Sequence, residues 1–344
     1  MAQAAPKIVF GTAGIGVLAS ETQSGLLDIL KKHNVKVLDT ARFYKDSEMT
    51  LKEYEAPKFF EINTKASGFG LGRLSKQSVL DSNKKSLEHL GVDSVDLYYF
   101  HSPDPDTPIE ESLSAIQELY AAGKFKRVSQ FFFHKRSIPN GSWTYNYSMQ
   151  FGLSNFLAED VQRIYDIQKA ANSVLPTVFQ GNYNAVSRHI EEDLFLLLRR
   201  LDISFYAYSP IAGGFLVKDS AGIRSKEVEG RFNDQSSSGA TYSTIYAKES
   251  LLSALDEWGE TAEGAGISKA ALAYRWISYH SELDPKYGDA VIIGARKTEQ
   301  LEETLVAIEA GPLDKATAEK AGAIWEKVKA EAPRDNWNSY HSLR

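Results

Sequence analysis

Short apolar runs rich in β-formers alternate with longer amphipathic segments almost from end to end of this chain. That alternation restricts the fold more than any other feature. The runs are KIVFG (7–11), KVLDT (36–40), FFEINTK (59–65), DLYYFH (96–101), FGLSN (151–155), VFQGNY (178–183), SFYAYSP (204–210) and AVIIGA (290–295). Between them lie segments such as SVLDSNKKSLEHLG, where Val79, Leu87 and Leu90 hold a helical stripe, and PIEESLSAIQELYAAGKF. Gly91 and Gly123 stand where C′ glycines end such helices. Strands separated by helices pair in parallel through right-handed crossovers. Roughly eight such units in one chain predict a closed (β/α)8 TIM barrel of the α/β class rather than an open sheet. The open-sheet alternative wants G-x-G-x-x-G directly after an early strand, and GTAGIG (Gly11 to Gly16) has the wrong spacing.

A chain of 344 residues suits either two average domains or one large barrel. No internal repeat and no low-complexity linker divides it, so a single domain over 1–344 is expected. The stretch from Lys218 to Ser250, rich in Ser, Gly and charge, reads as an extended loop on the active-site rim after the seventh strand. With 43% hydrophobic and 24% charged residues the chain can bury a large core. A net charge of -6 argues against a nucleic-acid surface, which needs clustered Lys and Arg. The absence of cysteine excludes disulfides, thiolate metal sites and a Cys nucleophile. The opening MAQAAPKIVFG lacks a signal-peptide core, and no apolar run reaches the roughly 18 residues of a membrane span. A cytoplasmic protein with neither membrane nor nucleic acid as partner is the expectation.

Polar residues at the C-terminal ends of the strands carry the chemistry. KVLDT ends near Asp39, with Tyr44 in the following loop; FFEINTK ends in Lys65 and DLYYFH in His101. Singly, each has an ordinary reading: a helix cap, a rim tyrosine, a solvated Lys or His. Barrel geometry would bring the four together at one face, and together they fit carbonyl reduction. A tyrosine hydroxyl, with a reference pKa near 10, is a poor acid at neutral pH, and a nearby ammonium favours its phenolate. The Asp carboxylate would hold the Lys, and the His would orient the carbonyl oxygen or help relay the proton. No His-x-His and no clustered carboxylates end the strands, so a metal-dependent hydrolase lacks support and no metal is expected.

LDTARFYKDSE, the strand-end TK, DLYYFH, FGLSNF, FQGNYN and FYAYSPIAGG resemble the aldo-keto reductases. The likeness is strongest to the branch that reduces aflatoxin dialdehyde and succinic semialdehyde. It covers nearly the whole chain outside the opening run and 218–250. The resemblance implies Tyr44 as proton donor, Lys65 as the residue that lowers its pKa, His101 as orienter of the substrate carbonyl, and Asp39 as support for Lys65. It implies Ser154, Asn155 and Gln180 on the nicotinamide amide and Tyr208 stacked on its ring. Ser209, Pro210, Gly213, Gly214 and Lys218 fall in the loop that wraps the pyrophosphate, where small residues let backbone N–H groups approach phosphate. Gly294 is expected to open a helix whose N-terminus favours anions, with Arg296 and Lys297 adding charge. That suits the 2′-phosphate of NADPH/NADP+ better than the free hydroxyl of NAD. Gln300 and Glu303 match adenine-side positions, while Thr304 stands where relatives carry Asn. Arg231, in EGRFN, matches a substrate-carboxylate contact, and Arg suits bidentate recognition. Asn184 and Arg188 match further polar positions near the cofactor. The implied activity is NADPH-dependent reduction of aldehydes, with carboxylate-bearing or dialdehyde substrates included. The alternative is a cofactor-binding module resembling the barrel subunits of potassium channels. The oligomeric state stays open, a homodimer included.

One segment fits none of this. Between GKFKR and FGLSNF runs VSQFFFHKRSIPNGSWTYNYSMQ (128–150), roughly 23 extra residues where helix-to-strand loops usually have 2–6. It lacks any period of 2 or 3.6, yet carries Phe131, Phe132, Phe133, Trp143 and Tyr147 with no evident core to join. A lineage-specific loop, a partner-binding element and a translated intron compete. Val-Ser can be encoded as GTAAGT and the terminal Gln as CAG, matching intron boundaries, and the intron reading is favoured.

Overall fold

The computed structural model describes residues 4–69, 72–125, 127–129, 147–226, 230, 232 and 239–341. The first half runs β1 (Lys7–Gly11), α1 (Ser20–Lys32), β2 (Val37–Asp39), α2 (Ser47–Glu53), β3 (Glu61–Lys65), α3 (Lys76–Leu90), β4 (Leu97–Phe100) and α4 (Ile109–Ala121). After a short ladder, β5 (Arg127–Ser129) and β6 (Tyr147–Met149), the alternation resumes with β7 (Phe151–Ser154), α5 (Ala158–Ala170), β8 (Pro176–Asn182), α6 (Leu194–Leu201) and β9 (Ser204–Tyr208). Then come α7 (Ser220–Ser225), α8 (Gly239–Tyr246), α9 (Glu249–Gly264), α10 (Lys269–Tyr279), β10 (Ala290–Ile293), α11 (Thr298–Glu309), α12 (Lys315–Val328) and α13 (Asn338–His341).

Eight of the strands close a barrel in the order β1-β10-β9-β8-β7-β4-β3-β2, all pairs parallel. The seam is β1 on β10, with Ile8 opposite Val291 and Phe10 opposite Ile293. Strand alternation separates two apolar regions. Val9, Val37, Leu97, Tyr99, Val178, Tyr206, Ala290 and Ile292 fill the barrel's inside, so it is packed rather than a pore. The opposite faces, including Phe10, Leu38, Ile62, Tyr98 and Phe205, join the helices in the larger core. The expected helix ends hold: Gly91 (φ 68°) and Gly123 (φ 67°) both adopt the left-handed conformation that a Cβ would strain. At the other end of α3, Ser75 accepts a hydrogen bond from the Ser78 amide.

The stretch 218–250 is not simply an extended loop. It contains α7 and α8, because aromatic residues hidden in its polar composition find a core: Phe232, Tyr242 and Tyr246 pack on one another and on Phe215. Among the described residues no helix is long and apolar enough to cross a membrane.

Most of the extra segment, including Phe131, Phe132, Phe133 and Trp143, lies outside the described residues. Its two ends form the β5–β6 ladder, with Val128 opposite Ser148. The ladder stands at the N-terminal end of β4, where Phe125 bridges Val95 and the Gln150 carbonyl accepts from the Tyr98 amide at 3.2 Å. The ends therefore sit one strand spacing apart, about 5 Å, on the face opposite the strand C-termini. Joining Arg127 directly to Phe151 should preserve soluble yield, melting temperature and cofactor binding. Loss of folding in that deletion would mean that 128–150 is packed structure.

Candidate active site

The period of two that fills the barrel also builds the site. On β2 the inward position after Val37 is Asp39; on β4, Leu97 and Tyr99 are followed by His101; on β8 and β9, Val178 leads to Gln180 and Tyr206 to Tyr208. Lys65 pairs in register with Tyr99, and Ser154 with Gln180, which puts both in the same layer. Apolar side chains thus floor a ring of polar ones at the strands' C-terminal ends. Tyr44 joins from the turn after β2, its amide donating to the Ala41 carbonyl at 2.9 Å.

These groups touch. Lys65 Nζ donates to Asp39 Oδ2 at 2.5 Å and to the Thr40 carbonyl at 2.8 Å. Gln180 Nε2 donates to Asp39 Oδ1 at 3.0 Å, so both carboxylate oxygens are engaged. The Lys65 and Asp39 side chains are 0% and 3% exposed. Lys65 Nζ lies 5.3 Å from the Tyr44 ring centre and 5.5 Å from that of Tyr99. Gly152 makes room for Tyr99: a Cβ there would stand 2.2 Å from its ring.

His101 meets the Tyr44 ring edge-on, centres 5.6 Å apart at 81°. Burial, reinforced by the Lys65 charge, holds the imidazole well below its ordinary pKa, so it is neutral at neutral pH. Its backbone carbonyl accepts from Asn155 Nδ2 at 3.0 Å, while its buried Nδ1 has no hydrogen-bond partner among the described residues. Phe69 and Phe43 wall the imidazole, with centres 4.6 and 6.3 Å away, and Trp337 packs on Phe69 at 5.0 Å. Gly68 has to be small, since a Cβ would stand 2.7 Å from that of His101.

Beside this centre stand Asn155, Tyr208 and the loop after β9. Asn155 is left-handed (φ 64°), and its Oδ1 accepts from Tyr208 Oη at 2.8 Å. Ser209, Ala212, Gly213 and Gly214 all have positive φ, curling the loop tightly, and Asn184 Nδ2 pins the Ser209 carbonyl at 3.1 Å. A Cβ on Gly213 would collide with Tyr242 at 1.9 Å, whereas one on Gly214 would meet nothing within 4 Å. Pro210 is buried within this turn, and Lys218 ends it, its carbonyl accepting from Lys269 Nζ at 2.9 Å.

Gly294, Arg296, Lys297, Gln300 and Glu303 lie exposed around the exit of β10. Among the described residues no hydrogen bond or ring contact joins them to Asp39, Tyr44, Lys65 or His101. Helix α11 begins at Thr298 with Lys297 at its N-cap, not at Gly294, because the intervening residues form a loop closed by the Arg296 amide on Gln300 Oε1 at 3.3 Å. Thr304 turns inward to the Tyr274 hydroxyl. Arg188 is engaged elsewhere: it forms a two-pronged pair with Glu191 at 2.8 and 2.9 Å and lies over Trp276 and Trp325. Arg231 lies outside the described residues. Thr40, Gly68, Phe69, Tyr99, Gly152, Trp337 and Asn338, whose Nδ2 holds the Asn155 carbonyl at 3.1 Å, were not anticipated. Of these only Tyr99 had a sequence signal, its place on the inward face of LYYF.

The aldo/keto reductase family model matches residues 7–132 and 149–326, interrupted within the extra segment. An oxidoreductase, sirO, of Leptosphaeria maculans is 37% identical over 342 residues, 96% of this chain and 96% of the relative. An aldo-keto reductase of Pseudocercospora fijiensis is 35% identical over 315 residues, 88% of this chain and 97% of that one. The aflatoxin B1 aldehyde reductase member 2 of Rattus norvegicus is 34% identical over 345 residues, 95% and 87% of the two chains.

Proposed function

This chain belongs to the aldo/keto reductase family and is an oxidoreductase of carbonyl groups, and on that premise we propose that it reduces aldehydes with NADPH, using Tyr44 as proton donor. The observation that carries this reading is the buried Asp39–Lys65 pair lying under the Tyr44 ring with His101 at its edge.

A reduced nicotinamide, when bound, supplies hydride to the carbonyl carbon. The residues of the chain do the rest. Asp39 and Thr40 hold the Lys65 ammonium where it favours the phenolate of Tyr44, easing proton release as the carbonyl oxygen becomes an alkoxide. Neutral His101 has one ring N–H to offer that oxygen, which fits it to orient the substrate. The phenolate regains its proton from water. Ser154, Asn155 and Gln180 present amide and hydroxyl groups of the kind a carboxamide needs, and Tyr208 an aromatic face. The open side of Gly214 and the curled loop suit a pyrophosphate. The aromatic wall of Phe43, Phe69 and Trp337 suits the apolar part of an aldehyde, and dialdehydes or carboxylate-bearing aldehydes are the substrate class we favour.

Neither Arg296 nor Lys297 has an ion-pair partner among the described residues, which supports their use on the 2′-phosphate. In stopped-flow, an aldehyde should oxidise bound NADPH in a single turnover; no oxidation would leave a cofactor-binding module. Arg296→Ala should weaken NADPH roughly ten- to a hundred-fold, the worth of one charge-assisted hydrogen bond, and leave NADH nearly unchanged. Equal losses for both cofactors would remove Arg296 from the 2′-phosphate.

A further inference from the structure

A cleft opens behind the aromatic wall. It encloses about 440 Å³ and is lined by Arg42, Phe43, Arg73 and Lys85, by the hydroxyls of Ser67, Ser78 and Ser82, and by Asp81. Arg73 and Lys85 face Asp81 there, joined by Arg42, whose charge is already paired with Glu48. Arg42 is fixed from behind: its Nη1 lies 3.3 Å from Glu48 Oε2 and 3.3 Å from His89 Nδ1, and Glu48 is itself buried and held by Thr64 Oγ1 at 2.8 Å. Arg73 and Lys85 have no ion pair or hydrogen bond through their side chains among the described residues. Asp81 already accepts from Gln77 Nε2 at 3.0 Å. The Ser78 and Ser82 hydroxyls are engaged with the Gly72 carbonyl and the Ser67 amide, so the attraction for an anion comes from Arg73 and Lys85, two like charges beside a concave space that raise the potential within it.

We propose that this cleft binds a compact oxyanion, a carboxylate or phosphate, carried by a substrate or free in solution. The site lies between the exits of β2 and β3 and helix α3, away from β9 and β10, where the residues proposed for the cofactor stand. It communicates with the catalytic pocket through Phe43, whose ring lines the oxyanion cleft and also stands edge-on to His101. An aldehyde reaching past Phe43 would place a distal carboxylate among the cations while its carbonyl lies at Tyr44. A free anion would instead fill the cleft from the outside.

The test uses the full chain saturated with NADP+, so that the cofactor's own phosphate sites are filled. Inorganic phosphate and succinate are titrated by calorimetry into wild type, Arg73→Gln/Lys85→Gln, and the charge-keeping Arg73→Lys/Lys85→Arg. Saturable binding to wild type, weakened about tenfold by the first pair and retained by the second, is the expected result. Because binding is read without turnover, the outcome is independent of the proposed reaction. A KM raised for 4-carboxybenzaldehyde but not for benzaldehyde would assign the anion to the substrate. An unchanged KM with lost phosphate binding would assign it to a free ion. No saturable binding by wild type, or equal binding by the Gln pair, would overturn the proposal.

Discussion

Tyr44→Phe is expected to lower kcat by at least about 10²–10⁴-fold, the usual worth of general acid catalysis, while NADPH affinity stays nearly unchanged. The substitution keeps the ring. Lys65 Nζ, 5.3 Å from its centre, and His101, edge-on at 5.6 Å, both contact that ring, so packing should survive and only the transferable proton is lost. The loss should appear equally in kcat and in kcat/KM, because the proton moves in the transition state and not on binding. A neutral imidazole cannot stand in as acid: His101 is held well below its ordinary pKa by burial and by Lys65. Retention of more than a tenth of wild-type kcat would assign the proton to another group.

The barrel was legible because its strands are buried on both faces and read as continuous apolar runs, with glycines where helices end. Asp39, Lys65 and His101 were legible for a related reason: a polar residue closing such a run has to sit at the strand's end, and barrel geometry gathers those ends. What the sequence hid was long-range packing. Phe69 and Trp337 are separated along the chain by about three quarters of its length, and no period links them, yet Trp337 packs on the ring that walls the imidazole. Gly68 and Gly152 looked like ordinary loop and strand glycines until His101 and Tyr99 filled the space a Cβ would need. The helices within 218–250 escaped because Ser, Gly and charge dominate its composition, while the contacts that order it come from Phe215 upstream. Arg188 matches a polar position near the cofactor, and what the sequence does not show is that Glu191, three positions on, and two tryptophans engage its guanidinium.

Lys65→Met should destabilise the fold as well as stop the reaction, and the two effects can be separated. Its ammonium is the group that occupies Asp39 Oδ2; without it that buried carboxylate keeps only the Gln180 bond on Oδ1. Breaking a buried pair from one side costs about 3–5 kcal/mol, which for a chain of this size corresponds to a fall in Tm of roughly 4–7 °C. Adding Asp39→Leu removes the stranded charge, and most of the lost stability should return, since apolar replacements of a whole buried pair are often neutral or better. Activity should not return, because no cation then lies under Tyr44. A double-mutant cycle in Tm beside turnover therefore distinguishes a pair kept for chemistry from one kept for folding. If Lys65→Met melted with wild type, the carboxylate would have to be solvated, and the dry pair at the base of the proposed mechanism would be wrong. If the double variant melted as low as the single one, the pair would be a structural element in its own right. The outcome expected here, stability restored and catalysis absent, would mean that this barrel carries two buried charges because Tyr44 needs one of them beneath it.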